Sequence, residues 1–407
     1  MYKILQGLRV VEGASFIAAP SCGLYLSQLG AEVIRFDMIG GGPDYRRWPQ
    51  SREGASFYWE GLNKGKKSIA IDLTRPEGRE LAIGIATAPG LDRGIFLTNF
   101  PADGFLAYDK LAGRRADLIL VRVMGRPDGG NAVDHTVNCA IGIPSLTGPP
   151  SLGEEPVNHV LPAWDIATGA YAAFALLAAE RQRRLDGKGQ EIRIPLSDVA
   201  MATLGHLGQV AEVSTSGTDR PRLGNDVFGT FGRDFVTRDG KRVMIIAVTA
   251  RQWSGLVEAL ALDRQVAALE AKLKLSFRDE GARYEQRAAL NALVEEAMRK
   301  RSLDELAPAF ARCAVCWGPY RALSEALAED RDFSAANPLF SLVEQPSGHR
   351  YLAAGAAATF GGQVRQPPLR APHLGEHTDE ILSGHLGLSQ AAIADLHDRG
   401  LVAGPRP

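Results

Sequence analysis

Leu8-Arg-Val-Val-Glu-Gly-Ala-Ser-Phe-Ile-Ala-Ala-Pro20-Ser-Cys-Gly-Leu-Tyr-Leu-Ser-Gln-Leu29-Gly30-Ala-Glu-Val-Ile-Arg-Phe36 holds one complete βαβ unit. Leu8–Glu12 reads as a buried strand, Pro20–Leu29 as a helix stopped by Gly30, and Glu32–Phe36 as the next strand. The alternation continues along the chain. Ser68–Asp72 is a strand, and Thr74-Arg-Pro-Glu77 reads as a capping box opening a helix to about Thr87. Gly94–Thr98, Leu118–Val123 and Gln190–Pro195 are further strands, and Ser197 is the expected cap of a helix running to about Val213. This order predicts an α/β fold, with a Rossmann-like parallel sheet covered by helices on both faces.

Ser214–Arg222 is rich in Ser, Thr, Gly and Pro and has no apolar period, so residues 214–227 read as a linker. From Phe228 to Val248 short β segments flank Arg238-Asp-Gly240, a hairpin signal. Helical patterns follow from Trp253, with Ser302-Leu-Asp-Glu305 as a capping box. After about Leu323 the chain is irregular and rich in Pro and Gly, and it closes with a helix from Ser389 to Arg399. The expected organisation is a large domain from residues 1–213 and 324–407 and a smaller α+β domain from residues 228–323.

The chain has 407 residues, 45% hydrophobic and 23% charged, with a formal net charge of −1. That balance gives no global field for nucleic acid or an anionic membrane. No apolar run approaches the roughly 18 residues of a membrane span, and the first ten residues lack a signal-peptide pattern, so a cytoplasmic protein is expected. Four cysteines, at 22, 139, 313 and 316, are too scattered for a disulfide framework. Cys313-Ala-Val-Cys316 has no second pair and reads as two buried thiols, and His373-x-x-x-His377 reads as structural loop, so no metal is expected.

Ligands of open α/β sheets lie beyond the carboxyl ends of the strands, here the loops Gly13–Pro20, Asp37–Arg47, Asn99–Gly104 and Gly125–Asp134. The first of these carries no G-x-G-x-x-G, and no Walker motif occurs, which argues against nicotinamide and ATP chemistry. Lys64-Gly-Lys66-Lys67, with Arg46, Arg47 and Arg52, reads either as a phosphate site or as a solvated surface run. Phe100 in Asn99-Phe-Pro101 reads either as a shelf for adenine or as core. In Leu161-Pro-Ala-Trp-Asp165, one carboxylate stands at the mouth of a helix expected from Ala167 to about Arg184. Near an N-cap, Asp165 is stabilised as the anion, the form that attacks a carbonyl carbon. Taken alone, an Asp there is more often a plain cap.

Leu8-Arg-Val-Val-Glu12, Gln28-Leu-Gly-Ala-Glu-Val-Ile34, Asn63-Lys-Gly-Lys-Lys-Ser-Ile-Ala-Ile-Asp72, Thr98-Asn-Phe100, Trp164-Asp165 and Ala371-Pro-His-Leu-Gly-Glu-His-Thr378 together resemble the class III coenzyme A transferases. The resemblance runs end to end. It implies a large domain made from both ends of the chain, a homodimer of interlocked open rings, an acyl-CoA substrate, and no cofactor beyond the CoA that the substrate carries. It makes Asp165 the nucleophile and maps the CoA site onto Phe16, Ile17, Lys66, Asn99 and Phe100. Many members place an Arg against the adenosine phosphate at the end of the second strand. Met38 stands there in this chain, with Arg46 or Arg47 as substitutes.

The same fold houses 2-methylacyl-CoA racemases, which carry a His directly before an Asp in the loop matching Val133-Asp134-His135. Here the His lies on the other side of the Asp, and the family's usual Gln nearby is Asn138. The runs Gly7-Leu-Arg-Val-Val-Glu-Gly13, Arg35-Phe-Asp-Met-Ile-Gly-Gly-Gly42, Asn158-His-Val-Leu-Pro-Ala-Trp-Asp-Ile166 and Phe231-Gly-Arg-Asp-Phe235 are similar to members that move CoA between two carboxyls of a single dicarboxylic acid. The glycine-rich lid common in intermolecular members has no counterpart between Asp219 and Phe235. The alternatives are an intermolecular transferase and a non-catalytic acyl-CoA-binding protein. A dicarboxylate also needs a cation or strong donors, for which His135, Arg122 and Arg233 are candidates.

Overall fold

A computed structural model describes residues 1–405. The first βαβ unit forms as β1 (Arg9–Gly13), α1 (Ala18–Gln28) and β2 (Glu32–Met38). The chain continues through α2 (Phe57–Asn63), β3 (Lys67–Ile71), α3 (Pro76–Ala86), β4 (Ile95–Thr98), α4 (Tyr108–Arg114), β5 (Ile119–Met124) and α5 (Asp134–Ala140). It then runs through the short α6 (Ile143–Leu146), the 24-residue α7 (Ala163–Asp186) and β6 (Gln190–Pro195). The six long strands are parallel, in the order β3-β2-β1-β4-β5-β6, and Val402–Ala403 adds an antiparallel edge to β3. Strand order reverses between β1 and β4, the position where doubly wound sheets open a ligand crevice.

The sheet is buried on both faces, as the uninterrupted apolar strands require. Val10, Val33, Ile95, Ile119 and Leu176 pack on one side, and Val11, Phe36, Ile69, Phe96 and Leu120 on the other. Helix α7 lies against α1 with almost no separation at Gly169, where an added Cβ would stand 2.6 Å from the Ala18 carbonyl oxygen and 2.8 Å from Ser21 Cβ. Gly169→Ala should therefore destabilise the fold by about 1–3 kcal/mol through overpacking, read as a lower midpoint in denaturant unfolding.

The chain divides into two compact units, one of residues 1–141, 159–216 and those from 330 onward, the other of residues 142–158 and 217–329. Helix Gln209–Ser216 continues into the segment expected as linker, and residues 142–158 join the second unit. That unit contains the expected hairpin, Phe231–Val236 with Arg242–Ala247, extended by Cys316–Pro319. The Ser302 capping box is present. Two other caps are not. Thr74 bonds to Asp72, leaving Arg75 as the N-cap of α3, and Ser197 lies inside a helix whose N-cap is Pro195. Cys313 is half-buried and Cys316 exposed, which corrects the reading of two buried thiols.

The returning segment is less irregular than its composition suggests. It forms an antiparallel hairpin, Phe340–Glu344 with Arg350–Ala354, and a helix Thr378–Leu386. His377 holds it to β3: its backbone N–H donates to the Ser68 carbonyl (2.9 Å) and its Nδ1 accepts the Ser68 N–H (3.2 Å). Among the described residues no helix is long and apolar enough to cross a membrane.

Candidate active site

At the β1–β4 crevice, Asn99 bridges the two strand ends. Its Oδ1 accepts the Ser15 N–H (3.0 Å) and its Nδ2 donates to the Ser15 carbonyl (2.8 Å). Phe16, next in the loop, is exposed and has a φ of 71°, a left-handed conformation that costs a bulky residue on the order of 1–3 kcal/mol. The conformation is held by Asp44, whose Oδ2 accepts the Phe16 N–H at 3.2 Å. Ile17 is the half-buried N-cap of α1.

Asp44 is itself fixed by Arg35, which is fully buried and reaches Asp44 at 2.9 Å and Asp37 at 2.8 Å. These acids hold the Arg35 guanidinium above its ordinary pKa against the cost of burial. Beside it, Lys66 Nζ donates to both Glu12 oxygens and to the Pro20 carbonyl, each at 2.9 Å. Burial lowers the Lys66 pKa and raises that of Glu12, and each opposes the shift of the other. Lys66 is thus an internal tie between β1 and α1, which corrects its expected place on a phosphate. Lys66→Met should leave buried Glu12 with only the longer contact to Arg35 (3.5 Å), at a cost of about 3–5 kcal/mol. The loss would appear in the unfolding free energy, with CoA affinity of the folded fraction unchanged.

Helix α7 begins at Ala163, four residues before the apolar period announces it, so Asp165 sits inside its first turn and not at the cap. The N-cap, Pro162, has no side-chain acceptor to offer. Asp134 takes that role from outside the helix: its Oδ2 accepts the N–H groups of Trp164 (2.7 Å) and Asp165 (3.0 Å). Asp165 itself is part-buried. Its pKa is pushed up to about 6, first by burial and then by the Asp134 charge, while Arg47 pulls it back. The expected stabilisation of its anion is therefore reversed.

Arg47 is exposed and lies over two rings, 5.3 Å from the Phe16 centroid and 5.4 Å from that of Tyr58. Burial, aided by the Asp165 charge, raises the Tyr58 pKa, and the Tyr58 hydroxyl is buried without a hydrogen-bond partner among the described residues. Asp165, Arg47, Tyr58 and Phe16 thus form one acid–cation–aromatic group. Arg47 belongs to this group, and its neighbour Arg46 does not. The exposed Arg46 lines a cavity of about 240 Å3 with Ile39, Gly40 and His373, past half-buried Met38. The same Arg46 and His373 also line a cavity of about 640 Å3.

Other candidates have structural roles. Arg122 is fully buried, with Nε on Glu191 (3.0 Å) and Nη1 on the carbonyls of Phe100 (2.7 Å) and Pro101 (2.8 Å), so it shapes the loop after β4 and is removed from the list of substrate cations. Phe100 packs partly buried against Phe36, with centroids 6.3 Å apart. Arg233 lies on strand Phe231–Val236 of the second unit. His135 is half exposed, its Nδ1 3.9 Å from Asp134 Oδ1. With His159 these two bring three ligand atoms within 4.8 Å, the metal-like cluster of the described residues. Both Asp134 oxygens are already engaged, however, by the α7 N–H groups and His159, which makes the cluster a hydrogen-bonded cap. Sequence reasoning missed Asp134 as that cap, and missed His159 and Tyr58 altogether. The only signal was a helix start with Pro at its cap, which leaves its N–H groups to a distant acceptor.

The family model CoA-transferase family III matches residues 5–378. The chain is 53% identical over 406 residues to 2-methylfumaryl-CoA isomerase of Chloroflexus aurantiacus, covering 100% of this chain and 99% of that protein. It is 27% identical to succinyl-CoA–D-citramalate CoA-transferase of the same organism, with 98% of each chain covered. A CAIB/BAIF family protein from Brucella suis has a crystal structure similar to this one at a TM-score of 0.75 and 28% identity, covering 94% of this chain and 100% of that one. A doubly wound sheet with a carboxylate beside its switch-point loop, matched along nearly all its length, places the chain in CoA-transferase family III.

Proposed function

We propose that the protein is an intramolecular CoA transferase that moves CoA between the C1 and C4 carboxyls of mesaconate (2-methylfumarate), with Asp165 as the nucleophile. The observation that carries this reading is the pairing of one part-buried carboxylate, Asp165, with one exposed cation, Arg47, in a chain 53% identical to a 2-methylfumaryl-CoA isomerase. Arg47 holds the substrate's free carboxylate. The unpartnered Tyr58 hydroxyl donates to an acyl oxygen. The Arg46 cavity takes the CoA nucleotide, and the acyl arm passes the Phe16–Ile17 and Asn99–Phe100 rims.

The Asp165 carboxylate attacks the C1 thioester carbonyl, and collapse of the tetrahedral adduct expels CoA thiolate and leaves a mixed anhydride. Thiolate then attacks the Asp165 acyl carbon, releasing the mesaconate C1 carboxylate and forming an aspartyl-CoA thioester. The C4 carboxylate attacks that thioester, thiolate leaves, and its return to the C4 carbonyl of the new anhydride frees Asp165. One thioester replaces another of similar energy, so the chemistry asks for no ATP and no metal. Holding carboxylate and carbonyl in contact is worth on the order of 7–11 kcal/mol, which is why the freed acid must not leave.

The test is incubation with mesaconyl-C1-CoA while following both isomers by chromatography and the protein by mass. C4 product formed without exchange of labelled free mesaconate, together with a CoA adduct on Asp165, supports the intramolecular route. Product that requires a free acid makes the protein an intermolecular transferase. Absence of turnover and of adduct returns the racemase and binding-protein readings. We also read the chain as half of a homodimer, because Tyr171, Phe174, Met201, Leu207 and Val210 leave large apolar side chains exposed along its helices. Light scattering after gel filtration should give a mass of two chains.

A further inference from the structure

Asp134 begins α5 but turns its buried carboxylate onto a different helix. Oδ2 holds the two N–H groups at the start of α7, and Oδ1 meets His159 Nε2 at 2.5 Å. A carboxylate only accepts, so Nε2 carries the proton in this bond. The His135 ring stands edge-on to His159, centroids 5.5 Å apart, and faces the same oxygen. Trp164 Nε1 donates to Asn138 Oδ1 at 3.0 Å, a second tie from α7 to α5. The first turn of α7, which carries Asp165, is thus held by side chains from elsewhere.

We propose that Asp134 and His159 are positioning residues for Asp165: the carboxylate clamps the turn that presents it, and the imidazole N–H holds that carboxylate in place. The inference rests on Asp165 being the nucleophile. Asp165 is faced by Asp134, Arg47 and the Tyr58 hydroxyl, and Asp134 is faced by His135 and His159. A like charge opposes ionisation and an opposite one favours it. The charge of Asp134 therefore restrains Asp165, and the His159 N–H, by drawing on Asp134 Oδ1, relieves part of that restraint.

The two substitutions should move the acid limb of kcat/KM in opposite directions. Asp134→Asn keeps an oxygen for the α7 N–H groups and removes the charge, so the limb falls by about half a pH unit or more. His159→Leu removes the donor on Asp134 Oδ1, so the limb rises by a comparable amount. Both variants are close in size to the native residues, and either shift can be read alone if the other protein fails to fold. Limbs that stay fixed, or move in the same direction, overturn the proposal. The aspartyl-CoA adduct separates the two readings: an adduct on Asp165 with unmoved limbs sinks only the positioning pair, whereas no adduct in the unaltered protein sinks the nucleophile itself.

Discussion

Asp165→Ala should lower kcat by about 10^4–10^6-fold, the range seen when a covalent nucleophile is removed, while CoA thioester binding changes little. The argument is chemical. The proposed route has four acyl transfers, and Asp165 oxygen or its acyl carbon takes part in each, so no neighbouring group substitutes for it. Asp165→Asn should be as inactive and, unlike most active-site changes, should stabilise the fold. The folded-state pKa of Asp165 is raised from 3.8 to about 6, so the native protein binds the extra proton between those values. Stability contributed by this group is present below about pH 4 and lost as pH rises through 6, where ionising it in the folded protein costs at most about 3 kcal/mol. Denaturant midpoints should therefore favour Asp165→Asn above pH 6 and converge near pH 4. Activity runs the other way: kcat/KM of the unaltered enzyme should fall tenfold per unit below about pH 6, because the protonated acid does not attack. A profile flat to pH 5 would contradict both halves of the argument.

Arg47→Met should lower kcat/KM for mesaconyl-CoA by about 10^2–10^3-fold, since a desolvated carboxylate that loses its charged partner costs about 2–5 kcal/mol. The substitution should also move the acid limb upward, because Arg47 is the group that draws the Asp165 pKa down. Arg47→Lys should recover only part of the loss, since an ammonium keeps the charge without the planar stack over Phe16 and Tyr58. The discriminating measurement is aspartyl-CoA adduct formation from a thioester lacking the second carboxylate. That rate should fall far less than turnover of mesaconyl-CoA. An equal fall in both would assign Arg47 to Asp165 alone and remove it from the substrate.

The alternation of strand and helix signals was legible from Leu8 onward, because a buried parallel strand needs an apolar run and its covering helix needs an apolar stripe. Asp165 was legible as a residue through resemblance, yet its electrostatics were misjudged. The apolar period begins at Ala167, whereas the helix begins at Ala163 because Asp134, some thirty residues away, accepts the N–H groups of its first turn. Lys66 was misread for a related reason. A lysine in a Lys-rich run looks solvated until its partner is known, and Glu12, fifty-four residues earlier in the chain, takes it inside. Arg122 looks like a ligand cation only until three backbone carbonyls and Glu191 claim it.

By itself, the sequence determined the fold class, the strand order's raw material and the hairpin of the second unit. These follow from periods of two and 3.6 residues, from turn chemistry, and from motifs whose members lie close together. The tertiary structure alone decided which charges face the site and which are sealed beneath it. It sent Lys66, Arg35 and Arg122 inward, brought Arg47 to Asp165, and set Asp134 with His159 behind them. The physical reason is that a charge's role depends on its partner and its burial, and both are properties of contacts between segments far apart in the chain.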